Sequence, residues 1–351
     1  MSTPGTIHAV QHLGAREISV AGSRQEMGCA SPKVMNESTS FDVASLTKIL
    51  FTTNLYMRLV DEKAVQLNDA VSHYLPAWKT SDKGEIRIHD LLTHRSGLEP
   101  WRPLYIACEG KESARNFIAT NPLKAKRDEQ RIYSDLGFIA LGEIAEKIFS
   151  ADIDEIFQNK IKSPLNLEST QFAKPVDQEN VAATSIGDRF EKTMVETDIP
   201  YVLPEKVEDF ANWRSQVLVG EINDGNAFHV FNGISSHAGL FSTAKDLLNI
   251  CDVYLKSFRD TGFFHSSTIR QFVQGGLDPM QGLGFRNWEV TTKFGEKTIF
   301  GHTGFTGVAM GFIPDLDFAA VMLTNRLHTK SEPTKTEELW LPFLESSLSK
   351  I

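Results

Sequence analysis

The sequence predicts an α/β (α+β) fold. An antiparallel sheet is flanked by N- and C-terminal helices, and a helical subdomain is inserted between the two halves of the core. Three observations carry this. β-Branched runs flank Gly14, four strand-like runs joined by short turns lie near the C-terminus, and the long middle of the chain is helical in pattern.

Residues 6–21, TIHAVQHLGAREISVA, read as a hairpin turning at Gly14, and an irregular stretch follows to Ser40. From Ala44 to about Val60, Leu46, Ile49, Leu50, Leu55, Tyr56, Leu59 and Val60 recur too densely for a surface helix, which predicts a central helix buried on most sides. IHDLLTHRSGL (88–98) predicts a helix stopping at Gly97. SARNFIATN and DLGFIALGEIAEKIF predict two more helices, while SPLNLEST and the run from Pro200 to Pro204 read as loops. A helix starts near Ser242 or Thr243, with Asp246 completing an approximate capping box. GLGFRNWEV, KTIFGHTGF, GVAMGFI and FAAVMLTN are the four strands, and 334–349 the terminal helix. Residues 1–60 and 225–351 are thus expected to form the core, with 61–224 as a mainly helical insertion and no linker marking an independent second domain.

Composition narrows the function classes. The chain has 351 residues, 41% hydrophobic and 23% charged, with a net charge of -9, the profile of a globular protein. Without a basic stripe it is not expected to bind nucleic acid, and small molecules or peptides are the expected partners. The three cysteines lack Cys-x-x-Cys spacing and the ten histidines lack His-Glu-x-x-His, so neither a metal nor another cofactor is expected. No apolar stretch approaches the roughly 18 residues of a membrane span. No signal peptide is visible, which predicts a cytoplasmic protein as the sequence stands, or a periplasmic one if a leader was removed. The sequence does not set the oligomeric state.

FDVASLTKIL (41–50) places Ser45 and Lys48 three apart at the mouth of the buried helix, where the two side chains share a face. Ser-x-x-Lys alone is weak, for it recurs at Ser242 with Lys245 and at Ser347 with Lys350. Lysine is a proton acceptor only if burial or another cation lowers its pKa, and the apolar surroundings of Lys48 are expected to do so. Tyr133 and Asp135 sit just before a helix, where a tyrosine near a lysine can shuttle protons. In FGHTGFTG (300–307), His302, Thr303 and Gly304 lie on an expected strand edge, and the backbone N–H groups of Ser45 and Phe305 could form a two-donor oxyanion hole.

Taken in order, Ser-x-x-Lys, Tyr-x-Asp and His-Thr-Gly resemble the motif set of the β-lactamase-related, penicillin-binding-protein-like serine hydrolases, in the branch of class C β-lactamases, D-Ala-D-Ala peptidases and esterases. FDVASLTK, LLTHRSGL, GHTGFTG and HAGLFSTAKDL extend the resemblance from about residue 6 to the C-terminal helix. It implies a β-lactamase/transpeptidase-like fold and an acyl-enzyme mechanism. Ser45 would be acylated, with Lys48 and Tyr133 as the acid–base pair and the Ser45 and Phe305 N–H groups on the oxyanion. His302 and Thr303, with Gly304 allowing close approach, would line the pocket for a substrate carboxylate. Asp135 stands where the family has Asn, trading an amide donor for an anion able to hold Lys48. His302 stands where many relatives have lysine, so it would carry positive charge only as an imidazolium. Both departures favour esters, D-amino-acid amides or peptidoglycan-type peptides over a true β-lactamase, and the alternative of another class is a catalytically idle binding module. His94 and His237 are expected to be structural, and Trp101, Arg102, Trp213 and Arg214 are candidates for the cleft rim or for packing.

Overall fold

The computed structural model describes residues 3–80 and 82–351. Strands Gly5–His12 and Ala15–Gln25 pair in register, His12 opposite Ala15, across a two-residue turn. Leu13 and Gly14 both have positive φ, 50° and 81°, as a turn matched to strand twist requires. The first strand alternates buried and half-buried residues, so one of its faces meets the core.

The ends of the chain meet in one sheet. Gly5–His12 pairs antiparallel with Phe318–Thr324, Thr6 opposite Thr324. From that junction the sheet continues through Val308–Ile313, Gly295–Gly304 and Arg286–Thr292, and on its other side through Ala15–Gln25 to the short strand Lys33–Val34, seven strands in all. Val308–Ile313 and Phe318–Thr324 are buried at every position because both faces are covered. Val308, Met310, Phe312, Val321 and Leu323 face the helix Ala244–Phe258 and the buried segment after Ser45. Ala309, Ala320 and Met322 face Trp340 and Leu344 of the terminal helix Thr336–Leu348. The family-type architecture is therefore present, with helices layered on an antiparallel sheet. The middle of the chain supplies helices such as Gly110–Thr120 and Asp135–Phe149, and adds a short ladder between Ala183–Ile186 and Val217–Val219.

Two helices differ from expectation. Beyond Ser45 the chain is a composite, a 3₁₀ turn Ala44–Leu46, a π-helical stretch Lys48–Thr53 and an α-helix Asn54–Asp61. The carbonyls of Ile49 and Leu50 accept from the Tyr254 hydroxyl and the Asn54 amide, and such side-chain insertions accompany widened helical turns. The helix expected to reach Gly97 spans only Ile88–Leu92, because His94 takes a left-handed φ of 57° and turns the chain away. The Ser242–Lys245 and Ser347–Lys350 pairs are occupied elsewhere. The Ser242 hydroxyl meets that of Thr170, Lys245 pairs with Glu168, and Ser347 donates to the Phe343 carbonyl. Thr243 is the N-cap, accepting from the Asp246 N–H. No described helix is long and apolar enough to cross a membrane.

Gly304, the last residue of its strand, abuts the turn that carries Ser45. A Cβ there would lie 2.6 Å from the Val43 carbonyl oxygen and 2.6 Å from Val308 Cγ2. Gly304→Ala is expected to lower stability by roughly 1–3 kcal/mol through overpacking, read as a shifted urea midpoint. A wild-type midpoint would contradict this contact.

Candidate active site

The turn carrying Ser45 is built by its neighbours. Ala44 has φ 45°, a left-handed conformation that costs a non-glycine residue energy and persists only where the surroundings enforce it. Asp42 does so. Its Oδ1 accepts from the Ala44 N–H at 2.8 Å and its Oδ2 from the Asn223 N–H at 2.6 Å, while the Val43 N–H donates to the Leu240 carbonyl at 3.0 Å. Burial, opposed by those two N–H donors, still pushes the Asp42 carboxyl up to about 6.

Lys48 is fully buried and its ammonium has three partners. Nζ donates to Ser45 Oγ at 2.9 Å and to the His237 carbonyl at 3.0 Å, and lies 2.7 Å from Asp135 Oδ1. The Tyr133 and Phe138 rings sit 5.2 and 5.6 Å from it. Burial acts to lower the Lys48 pKa, but Asp135 and Tyr133 outweigh it, so the group is held above the ordinary lysine range. The expectation that apolar surroundings would make Lys48 a free base is thus corrected. A cation this deep is kept because a carboxylate is beside it.

Asp135 reaches that position from the first turn of Asp135–Phe149, where Ser134 is the N-cap and accepts from the Gly137 N–H. The Ser134 N–H in turn donates to His94 Nδ1 at 3.0 Å, and the Asp135 N–H donates to the Pro100 carbonyl at 2.9 Å. Tyr133, 37% exposed, forms part of the cleft wall. Burial raises its pKa, opposed by the Lys48 charge and by hydrogen bonding with Ser45 and Lys48, so the resting group is a neutral phenol.

Ser45, Tyr133 and Phe305 border two adjoining cavities. The first, about 260 Å³, is completed by Arg131, Gln281, Arg286, His302 and Thr303. Arg286 donates to Thr303 Oγ1 at 2.9 Å and pairs with Glu337 at 3.1 Å, and Arg131 pairs with Asp278 at 2.8 Å. His302 Nδ1 lies 2.6 Å from the Thr303 carbonyl, which can only accept, so Nδ1 carries the hydrogen and Nε2 is a bare acceptor. Burial, with the Lys48 and Arg286 cations nearby, holds this imidazole far below its usual pKa. The loss of positive charge expected from His302 in place of lysine is therefore complete in the neutral ring, and the positive charge of this cavity belongs to Arg286 and Arg131.

The second cavity, about 300 Å³, is lined by Trp101, Tyr201, Asp135, Glu191, Asn223 and Asp224 among others. Of the eight residues singled out in the three motifs, six line one or other of these cavities, and Lys48 lies buried behind Ser45. Gly304 acts from behind, holding the strand end against the turn. Arg286, Arg131, Asp224, Glu191 and Tyr201 were not foreseen, since they come from loops and element ends that carry no motif. Of the four rim candidates Trp101 lines the cleft. Arg102 pairs with Glu99 and Glu205, Arg214 with Asp188, and Trp213 packs on Tyr105 and Phe210. His94 supports the Ser134 cap and His237 bridges Ser235 and Asp224. Among the described residues no cluster of three or more His, Cys, Asp or Glu side chains is disposed to hold a metal ion.

The Beta-lactamase family model matches residues 12–342. The chain is 30% identical over 323 residues to an N-acetylmuramyl-L-alanine amidase of Bacillus subtilis (strain 168), covering 85% of this chain and 70% of that one. It is 30% identical over 326 residues to a putative D-alanyl-D-alanine carboxypeptidase of Salmonella agona (strain SL483), covering 86% and 72%. A class C beta lactamase from Rhodobacter sphaeroides superposes with TM-score 0.67 at 19% identity, over 98% of this chain and 95% of that one. The chain belongs to the Beta-lactamase family and is a hydrolase of that family.

Removing Asp135 alone leaves Lys48 as an uncompensated buried charge. Asp135→Ala is expected to cost about 3 kcal/mol in urea unfolding at neutral pH, and adding Lys48→Met should recover much of that. A double variant no more stable than the single one would show that the charge is not the cause.

Proposed function

We propose that this member of the Beta-lactamase family is a serine hydrolase working through an acyl-enzyme on Ser45, with esters, D-amino-acid amides or peptidoglycan-type peptides as substrates. The observation that carries the reading is the 2.9 Å contact between Lys48 Nζ and Ser45 Oγ at the meeting of two cavities. Because Lys48 donates in that contact and is held protonated, it serves as a fixed cation for the developing alkoxide and phenolate. Tyr133 then moves the proton. As phenolate it takes the Ser45 hydroxyl proton, and as phenol it returns it to the leaving group. The tetrahedral oxyanion is received by the Ser45 and Phe305 backbone N–H groups. Asp135 positions Lys48 and offers a substrate amide no donor.

On the Arg286 side a substrate carboxylate meets two guanidinium groups and the Thr303 hydroxyl, with neutral His302 supplying an acceptor beside them. Guanidinium charge persists at any physiological pH, so this recognition needs no imidazolium. The preference for a carboxylate-bearing ester over its neutral analogue is therefore expected to stay constant through about pH 6–7.5, where ordinary imidazole titrates. Arg286→Ala should reduce that preference by about tenfold or more, the size of a lost charged hydrogen bond. A preference that fades as pH rises through that range would return the role to His302.

Labelling by a fluorescent fluorophosphonate is expected in the wild type and absent in Ser45→Ala. No Ser45-dependent label from that reagent or from a fluorescent penicillin would favour the idle binding module, and efficient turnover of penicillin would favour a true β-lactamase. Since the phenolate is the working base and the Tyr133 pKa is raised, kcat/KM should climb with pH from neutral into the alkaline range. Tyr133→Phe should abolish that limb and lower kcat/KM by roughly 10²-fold or more. A profile already flat at neutral pH would contradict this role for Tyr133.

A further inference from the structure

The cavity beside Ser45 on the side away from Arg286 gathers three carboxyl groups, those of Asp135, Glu191 and Asp224. Of its three carboxylates, only Asp135 has a cationic Lys or Arg partner among the described residues, Lys48 at 2.7 Å. Asp224 faces the His237 imidazole at 3.1 Å. Glu191 accepts from the Tyr105 hydroxyl and the Gly225 N–H, both at 2.8 Å and both uncharged. Burial and the Asp224 charge push Glu191 up to about 8, so at neutral pH it rests largely as the neutral acid and an incoming cation would favour its carboxylate form.

A second observation points to a ligand. Asn223 is only 8% exposed and lines this cavity, yet its Oδ1 has no hydrogen-bond partner among the described residues. Its backbone is fixed on both sides, the N–H donating to Asp42 and the carbonyl accepting from Arg214. A buried acceptor left open costs stability unless something donates to it. The remaining walls are apolar and rich in rings, with Trp101 and Tyr201 stacked at 6.5 Å and Phe305, Met194 and two prolines completing them. Carboxylates, an open carbonyl and ring faces together suit one kind of group, a donor-rich cation.

We infer that this cavity is an ammonium subsite, taking the free amine of an amino-acid amide or peptide against Asp224, Glu191 and Asn223 Oδ1, with Trp101 and Tyr201 as its walls. The inference rests on the serine-hydrolase reading for its choice of substrate. With Arg286 and Arg131 beyond Ser45, the cleft then accepts a substrate carrying positive charge on one side of the scissile bond and negative charge on the other.

The test measures protection of Ser45 from a fluorescent fluorophosphonate by alaninamide, of either hand, and by N-acetylalaninamide, which lacks the charge. The free amine is expected to protect at a concentration at least about tenfold lower, equivalent to one charged hydrogen bond. That advantage should shrink several-fold in Glu191→Gln and in Asp224→Asn, each compared with its own uncompeted labelling rate, which also reports that the variant is folded. Equal protection by the two amides in the wild type, or an advantage that both variants retain, would overturn the ammonium subsite and leave the serine-hydrolase reading standing. Absence of any Ser45-dependent label would overturn that reading and the subsite with it.

Discussion

Burial of the Lys48 ammonium is the constraint on which the rest of the site depends. A charge with no solvent access is tolerated only when its donors are all met and an anion is close. Three separate parts of the chain meet that need. Ser45 comes from the same turn, His237 lends a carbonyl from the loop before Leu240–Ser242, and Asp135 comes from the start of a helix in the middle of the chain. Each partner is itself held. Ser134 caps the Asp135 helix and is fastened to His94, while Asp42 clamps Ala44 in its left-handed conformation. The cation therefore ties the buried segment, the loop before Leu240–Ser242 and the helix Asp135–Phe149 together at the one point where chemistry is proposed.

Asparagine at position 135 would give Lys48 an acceptor but no charge. With aspartate the ammonium is locked on, and the proposed mechanism assigns the proton traffic to Tyr133. His302 undergoes the opposite change. It replaces a charged residue with one that burial keeps neutral, and the charge of that wall comes from Arg286 and Arg131. The two departures from the family pattern are thus compensated locally, one by an ion pair and the other by guanidinium groups on neighbouring elements. The cleft that results is chemically asymmetric, with guanidinium groups beyond Thr303 and carboxyl groups around Asp224.

Much of this was legible in the residues. The hairpin at Gly14, the four C-terminal strands, the Thr243 cap and the terminal helix follow from turn chemistry and period, which act over a few residues. Ser45, Lys48, Tyr133, Asp135, His302, Thr303 and Phe305 stood out because their spacing is local within each motif, and the structure brings them around one cleft. Three matters were not legible. The buried helix breaks into 3₁₀, π and α portions because Tyr254 and Asn54 reach its carbonyls. The helix at Ile88 ends early at His94, and the cleft walls draw on Arg131, Glu191, Tyr201, Asp224 and Arg286, which share no spacing.

By itself, then, the sequence determined the order of the elements and pointed to the residues proposed to react, because both are written in short-range patterns of polarity and turn residues. The protonation of those groups was decided by the tertiary structure alone. Apolar surroundings argued for a neutral Lys48, and an anion from 87 positions away made it a cation. The sequence left the charge of His302 open, and burial beside two cations made it neutral. A pKa reports the sum of burial and every nearby charge, and those neighbours are assembled only when distant parts of the chain fold together.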